Sequence, residues 1–348
     1  MQKKRPAAVR THSANRAHSA SKRIFTKWRV LQLAFSLILA ALLIYFLVSK
    51  ISLTEAFTVL GNISLSWLLV AFLLYIFTTW LKGIRWRVIL KNVISLKDSF
   101  SMMGFSSMFI NLLPFRLGEF GMPYLLKKKG IKLRNSLSYL IILRLFDFVS
   151  LVILFFLGLL LVGEAFRLPP LAYILIIIAF VLMIFALFAI IFFPAQLLGI
   201  LKRILSRIVP LNTKNSACAK FLFKAELVSQ EMAHLQKATI LVNLFFLSLI
   251  TWFLGVINLQ IFLVSMGIAF PFTKTLLAIT FQVLLSNLPI QGLAGFGTYE
   301  GFWALGFVLL GMDKSTAIIS GLNSHLLLLL MTIILGIFGW LLLMKKKN

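Results

Sequence analysis

Two short polar stretches interrupt a chain that is otherwise strongly apolar. The first reads NLLPFRLGEF over 111–120, and the second reads NLPIQGLAGFGTYE over 287–300. Both combine an asparagine, a proline, glycine and a glutamate, and the first adds an arginine. The planar guanidinium of arginine suits phosphate, and a carboxylate at membrane depth is a candidate proton or cation site. The two stretches are therefore candidates for a binding site for an anionic group or a proton.

The candidate substrate-binding residues of the two stretches are polar or helix-breaking at a depth where an apolar residue is expected. They are Asn111, Pro114, Arg116, Gly118 and Glu119 in the first, and Asn287, Pro289, Gly292, Gly295, Gly297 and Glu300 in the second. Proline and glycine end a helix and permit tight turns, so freed backbone amides could hold phosphate oxygens. Two alternatives stay open: the asparagines satisfy freed backbone groups, and the glutamates compensate the positive ends of half-helices.

Arg144 and Asp147 form a third candidate pair because they are three residues apart on one face of a predicted helix. A local ion pair would relieve the cost of burying them. Alternatively, Arg144 binds an anionic head group and Asp147 orients it. His325, alone in a leucine-rich run, is expected to be a packed and hydrogen-bonded histidine.

Composition indicates the class of protein. Of 348 residues, 61% are hydrophobic and 13% charged, and the mean hydropathy is +1.01. A soluble protein of this length needs a more polar surface, and several apolar runs reach the ~20 residues that span a bilayer. The net charge of +26 does not indicate a nucleic-acid partner, because the basic residues precede or flank apolar runs. They predict contact with anionic lipid head groups.

The apolar runs predict an all-α polytopic membrane protein with six full transmembrane helices and two re-entrant helical hairpins. The full helices are expected at 30–49, 66–89, 136–162, 170–193, 238–266 and 317–344, and the broken stretches at 99–126 and 276–311. Hairpins are favoured because they leave most of the 35 Lys and Arg on one side, which is then the cytoplasmic one. Both termini are therefore predicted to be cytoplasmic, in a multi-pass protein of the cell membrane.

The two hairpins would enter from opposite faces, and Asn111 and Asn287 lie about half a chain apart, so an inverted repeat is predicted. The expected organisation is a basic cytoplasmic segment at 1–29 and one integral membrane domain at 30–348. Within that domain, 80–162 forms the first repeat and 238–344 the second, joined by a cytoplasmic interfacial linker at 196–236 with an amphipathic helix. The single cysteine, Cys218, allows no intramolecular disulfide and no metal-ligand spacing, so no metal and no cofactor are expected.

Four motifs carry a family resemblance. They are RW at 85–86, NLLPFRLGE at 111–119, RLFD at 144–147 and GFGTYE at 295–300. In this order they resemble the membrane region of lysylphosphatidylglycerol synthases and the standalone flippase-like proteins that share it, over about 80–345. The chain departs from the family pattern at Met122 and Pro123, where a basic residue is frequent. It also reads Leu293–Ala294–Gly295 where the family usually has Pro-Gly-Gly.

The resemblance implies a membrane domain that moves a lipid between leaflets. The distribution of basic residues predicts that Arg85, with Trp86 beside it, lies at the cytoplasmic interface. The soluble synthase domain is not expected in this chain, so aminoacyl transfer is not carried over. The leading hypothesis is therefore a transporter of an anionic phospholipid or lipid-linked substrate, and not an enzyme. The alternatives are a membrane-embedded transferase or hydrolase acting on a polyprenyl-linked substrate, and a scaffold for an acidic partner. Whether the protein forms a homo-oligomer is left open.

Overall fold

The computed structural model describes residues 63–163, 193–208, 238–287 and 292–345, with isolated residues at 58–61 and between these ranges. Within this part of the chain the architecture consists of nine α-helices and two short 3₁₀ helices. In chain order the α-helices are α1 Leu65–Ile89, α2 Leu96–Leu112, α3 Gly121–Lys128, α4 Leu133–Val162, α5 Pro194–Ile208, α6 Ala238–Ser265, α7 Phe272–Ser286, α8 Thr298–Leu309 and α9 Lys314–Met344.

Four of these helices, α1, α4, α6 and α9, are long and apolar enough to cross a membrane. Their bounds lie within three residues of the spans predicted from 66, 136, 238 and 317 onward, because each is one uninterrupted apolar run. Of the two other predicted spans, 30–49 lies outside the described residues, and only scattered residues of 170–193 are described. The amphipathic helix expected in the 196–236 linker is α5.

The first polar stretch separates α2 from α3. Leu113 is extended, as expected for a residue that precedes a proline, and Pro114 begins a 3₁₀ helix that ends at Phe120. The segment then folds back on itself: Lys129 Nζ, just after α3, lies 3.4 Å from Asp98 Oδ2 in the first turn of α2. The two ends of this broken stretch therefore lie side by side.

The second polar stretch separates α7 from α8 in the same manner. After α7 the described chain resumes at Gly292 and forms a 3₁₀ helix at Leu293–Gly295. Lys274 Nζ, at the start of α7, donates a hydrogen bond to Leu310 O at the end of α8, at 2.9 Å. This stretch also folds back, so its two helices are antiparallel. Pro289 lies outside the described residues.

Small residues allow the helices to approach closely. α2 packs along α9. A Cβ on Gly104 of α2 would lie only 3.0 Å from Leu335 O of α9. A Cβ on Gly158 of α4 would lie 3.0 Å from the backbone of Leu277 in α7. Helix pairs in membranes are commonly stabilised by such contacts, because lipid supplies little hydrophobic drive for helix association.

Candidate functional site

A cavity of about 290 Å³ lies among helices of both halves of the chain, 65–162 and 238–344. Residues of α1, α2, α3 and α4 line it from the first half, and residues of α6, α7, α8 and α9 from the second. Among the described residues, its charged lining comes entirely from the first half. These residues, called the charged cluster below, are Lys82, Arg85, Arg116, Glu119, Arg144 and Asp147.

Asp147 on α4 is one centre of the charged cluster. Its Oδ1 lies 2.7 Å from Nη1 of Arg85 and accepts a hydrogen bond from the Trp252 indole N–H at 2.9 Å. Its Oδ2 lies 3.5 Å from Nη1 of Arg144. The local ion pair considered for Arg144 and Asp147 is present, and the shorter contact of Asp147 is with Arg85. Burial of these charges is offset because each carboxylate oxygen has a cationic partner.

Glu119 in the first 3₁₀ helix is the second centre. Its Oε1 lies 2.8 Å from Nε of Arg116 and 3.1 Å from Nη2 of Arg144. Arg144 therefore bridges the two carboxylates, Glu119 and Asp147. Arg116 also donates through Nη1 to Oδ1 of Asn287, which joins the first polar stretch to the second.

The local backbone places Arg116 in this position. Arg116 has φ 57°, a left-handed conformation that is uncommon for a residue other than glycine. Two residues later, Gly118 packs directly against α2, and a Cβ there would overlap the carbonyl of Phe109. Pro114 is buried at the start of the same 3₁₀ helix. Pro114 and Gly118 thus form the turn that carries Arg116 and Glu119. Strain at a non-glycine residue is frequently found at functional sites.

The two asparagines have matched hydrogen bonds. Nδ2 of Asn111 donates to Ser107 O at 3.1 Å, and Nδ2 of Asn287 donates to Val283 O at 2.9 Å. Each amide therefore bonds the carbonyl four residues earlier in its helix. Val283 O also accepts the backbone N–H of Asn287 at 3.1 Å, so at Asn287 this acceptor is not a group that the break has freed. Asn111 also lines the cavity, and Asn287 accepts from Arg116, so neither role excludes contact with a ligand.

Glu300 lies outside the cavity lining, although its neighbour Tyr299 is part of it. Glu300 is 1% exposed. Its Oε2 accepts from the backbone N–H of Gly297 at 2.7 Å, and its Oε1 lies 2.6 Å from Nδ1 of His325. The helix-capping alternative is therefore seen for Glu300, and His325 is packed and hydrogen-bonded as expected. A direct role for Glu300 in substrate binding stays a prediction.

The glycines of the second stretch shape its turn. Gly295 and Gly297 have φ of 76° and 79°, values that glycine adopts without steric cost. Gly292 is extended and precedes the 3₁₀ helix. These three glycines are not among the residues that line the cavity, so their contribution to a site would be indirect.

Arg85 and Trp86, expected at the cytoplasmic interface, are both buried, at 4% and 5% exposure. Arg85 belongs to the charged cluster, and Trp86 packs in the apolar core that also contains Met102 and Phe146. Their depth relative to a membrane stays a prediction. The interfacial prediction rested on the basic residues on either side of Arg85, Lys82 and Arg87, because basic residues near the end of an apolar run are typical of interfacial charge.

Several cavity residues were missed by sequence reasoning. They are Lys82, Trp252, Asn258, Gln282 and Tyr299. The amides had a usable signal, since Asn258 and Gln282 stand inside apolar runs where polar side chains are costly. Trp252 had none, because a tryptophan in an apolar helix is most often packing material.

The chemistry that this arrangement favours is the binding of an anion. At their usual charges, four cations face two carboxylates, so the cavity has excess positive charge. In the part of the chain that the structure describes, the buried Nε atoms of Arg85 and Arg144 have no hydrogen-bond partner. Buried donors of this kind are normally satisfied by protein, water or ligand. Guanidinium donors bind phosphate oxygens strongly and with defined geometry.

Comparison with known proteins gives one family. The family model of the lysylphosphatidylglycerol synthase transmembrane region matches residues 30–336. No match is found among curated proteins or among solved structures. The match covers most of the chain and includes all four motifs that carry the resemblance. With four long apolar helices among its described residues, the chain is a multi-pass membrane protein, and it belongs to the lysylphosphatidylglycerol synthase transmembrane-region family.

Proposed function

We propose that this protein is a flippase-like transporter that moves an anionic phospholipid or lipid-linked substrate between the leaflets of a membrane, and that it is not an enzyme. The observation that carries the proposal is the cavity with its charged cluster. It has excess positive charge, it is lined by both halves of the chain, and the buried Nε atoms of Arg85 and Arg144 lack a hydrogen-bond partner among the described residues. Membership of a family named for a lipid synthase's membrane region supports a lipid as the substrate.

The size of the cavity favours a head group over a whole lipid. A volume of about 290 Å³ is at the lower end of small-molecule sites, which measure ~300–1,000 Å³. In this proposal the phosphate contacts the arginines of the charged cluster while the acyl chains remain outside among the apolar helices. Such a division lets a polar head group avoid the hydrocarbon during its passage.

An inverted repeat is part of the proposal, and helix packing supports it. α2 packs on α9 as α7 packs on α4, and α3 packs on α4 as α8 packs on α9. If α1 to α4 are matched in order with α6 to α9, each of these contacts corresponds to another contact in the set. The contact between α1 and α6 then corresponds to itself. We propose that the two broken stretches are re-entrant hairpins from opposite faces, in a domain with both termini in the cytoplasm, in the cell membrane.

The function is tested by leaflet exchange of fluorescent lipids in proteoliposomes, with a panel of head groups. We expect exchange by the wild type and at least about a tenfold loss in Arg116→Ala, because a hydrogen-bonded charge is worth ~1.5–3 kcal/mol. Arg116→Lys keeps the charge but not the planar fork, so an intermediate rate is expected. Lys202→Ala is the matched control, since Lys202 is half-exposed and pairs with Glu226 outside the cavity.

Two results would contradict the proposal. Exchange by Arg116→Ala at the wild-type rate would exclude the charged cluster from the lipid path. Conversion of a lipid-linked substrate by purified protein in detergent, where no leaflets exist, would instead establish the enzyme alternative. Paired carboxylates such as Glu119 and Asp147 are the groups that acid–base chemistry would need.

A further inference from the structure

The cavity lining also contains uncharged polar side chains, outside the charged cluster, that have not yet been given a function. Three uncharged residues of the second half line the cavity and carry a buried oxygen without a hydrogen-bond partner among the described residues: Asn258 Oδ1, Gln282 Oε1 and Tyr299 Oη. Asn258 and Gln282 are only 4% and 2% exposed. Leaving a buried polar atom unpaired is costly, and native proteins usually provide it with a partner. These residues are called the neutral group below.

Asn258 lies to one side of the charged cluster along α6. Trp252, on the same helix, donates to Asp147 and so marks the level of the cluster. Asn258 is six residues farther on, about 9 Å along the axis at ~1.5 Å per residue. α6 runs in the same direction as α4, because later residues of both helices, Val256 and Leu154, share an apolar core. The displacement of Asn258 is therefore toward the C-terminal end of α4.

Gln282 is displaced to the same side along α7. Asn287 after the end of α7 bonds Arg116 and marks the level of the cluster on this helix. Leu277 packs on Gly158, well past the cluster toward the C-terminal end of α4. Gln282 lies midway between Asn287 and Leu277, about 7.5 Å from each at ~1.5 Å per residue. Both amides therefore lie beyond the charged cluster on one side of it.

Tyr299 has its ring held in place, so its hydroxyl is a fixed group in the cavity lining. The ring stacks on His325 at 4.4 Å between centroids and 15° between planes, and on Trp303 at 5.9 Å and 20°. His325 is in turn held by Glu300. The buried Glu300–His325 pair thus positions a cavity residue without reaching the cavity itself.

From this geometry we propose that the neutral group is a second subsite, which binds the hydroxyl groups of a polyol or sugar attached to the phosphate of the lipid. The inference rests on the proposed function in taking a lipid as the ligand. Hydroxyls both donate and accept, so they match amide oxygens and a tyrosine hydroxyl together. An ammonium head group also donates, but the excess positive charge of the neighbouring cluster repels it. The substrate class is therefore a phosphodiester lipid with a hydroxylated, uncharged head group.

The test compares two lipids that differ only in the alcohol esterified to the phosphate, which is a hydroxylated ring in one and an ethyl group in the other. Dioctanoyl phosphatidylinositol and dioctanoyl phosphatidylethanol carry the same single negative charge and the same acyl chains. We expect the purified protein in detergent to bind the inositol lipid at least about tenfold more tightly, measured as Kd by thermal-shift titration. Two or more hydrogen bonds at ~0.5–1.5 kcal/mol each account for such a ratio.

Variants then assign the preference to the neutral group. Asn258→Leu and Gln282→Met each remove an amide at nearly constant volume. Each substitution should raise the Kd of dioctanoyl phosphatidylinositol about 3- to 10-fold and leave the Kd of dioctanoyl phosphatidylethanol unchanged. Gln260→Met is the matched control: Gln260 lies two residues beyond Asn258, bonds Phe270 O, and does not line the cavity. Without lipid, Asn258→Leu should unfold no earlier than the wild type, because it removes an unpaired buried oxygen.

The outcomes separate this inference from the proposed function. Equal binding of the two lipids by the wild type, or equal loss of both in Asn258→Leu and Gln282→Met, would overturn the subsite even where leaflet exchange is intact. Earlier unfolding of lipid-free Asn258→Leu would also overturn it, since it would indicate a structural role for that amide. Gln282→Met does not serve this comparison, because Nε2 of Gln282 also donates to Ser286 Oγ at 3.3 Å. Glycerophosphoinositol, the same head group without acyl chains, should bind at least about tenfold more weakly. Equal binding of that soluble compound would overturn the lipid assignment. Selective binding of the inositol lipid without any leaflet exchange would keep the subsite and reject the transporter.

Discussion

Replacing Asp147 with asparagine tests whether the charged cluster is a coupled, buried network. Asp147 is the partner of Arg85 at 2.7 Å and of Arg144 at 3.5 Å, and it accepts from Trp252 at 2.9 Å. The side chains of Arg85 and Asp147 are 5% and 13% exposed. Asn keeps the shape and a carbonyl acceptor for Trp252 but removes the negative charge. Arg85 would then be a buried cation without its carboxylate.

The expected loss in free energy of unfolding is about 3 kcal/mol. Removing one partner of a buried ion pair typically costs ~3–5 kcal/mol, because the remaining charge stays desolvated. We place Asp147→Asn at the lower end, since Arg144 keeps Glu119 as a partner and is 30% exposed. The matched control is Glu226→Gln. Glu226 pairs with Lys202 at 3.1 Å, but both side chains are over 40% exposed, so a loss of only ~0–1 kcal/mol is expected.

The assay is reversible unfolding in mixed micelles, followed as the loss of helical circular dichroism with increasing SDS. A double variant, Arg85→Leu with Asp147→Leu, supplies the second arm: it should recover most of the loss, because apolar residues replace both charges. A loss for Asp147→Asn no greater than that of Glu226→Gln would refute the buried network. If the loss in the double variant equals the sum of the losses in Arg85→Leu and Asp147→Leu alone, the coupling between the two residues is refuted.

Two further predictions concern the turns that carry the site. Gly118→Ala should lower the free energy of unfolding by about 3 kcal/mol or more in the same assay, because the added methyl overlaps the carbonyl of Phe109. The control is Gly301→Ala: Gly301 is a helical glycine with open space around it, so this change should be neutral or stabilising by ~0.5–1 kcal/mol. Equal effects of the two substitutions would contradict the packing of Gly118 against α2. Ala294→Gly should stabilise the protein by up to ~1 kcal/mol, because Ala294 has φ 51° and this conformation disfavours a Cβ. A destabilised Ala294→Gly variant would show that the strain is absent.

The spans that could be predicted from sequence are those in which one apolar run makes one helix. α1, α4, α6 and α9 were found in this way because hydrophobic length alone identifies a membrane-crossing helix. The two breaks were also recognised, since proline and glycine have direct backbone consequences. The departure noted at Leu293–Ala294–Gly295 has a structural consequence: Ala294 occupies a left-handed conformation where the family usually has glycine.

The partners of the site residues could not be predicted, because they are set by packing between distant helices. Arg116 and Asn287 are 171 residues apart and meet only when the two breaks are brought together. Arg85 lines the cavity, although the basic residues near it in the sequence indicated the membrane interface. Glu119 and Glu300 occupy similar positions after their breaks, and spacing gave no reason to distinguish them.

The different surroundings of these two glutamates explain how two halves whose helices pack in matching ways form an asymmetric cavity lining. Glu119 is paired with Arg116 and Arg144 in the cavity, whereas Glu300 is paired with His325, which stacks on Tyr299. Among the described residues, every charged residue of the cavity lining belongs to the first half, and the second half contributes uncharged side chains. The proposed head group, with its charged and uncharged parts, would match such a lining, because a symmetric pair of charged halves would leave its hydroxyls facing cations. In this proposal neither half alone supplies both kinds of contact, so binding requires the two halves to be packed together.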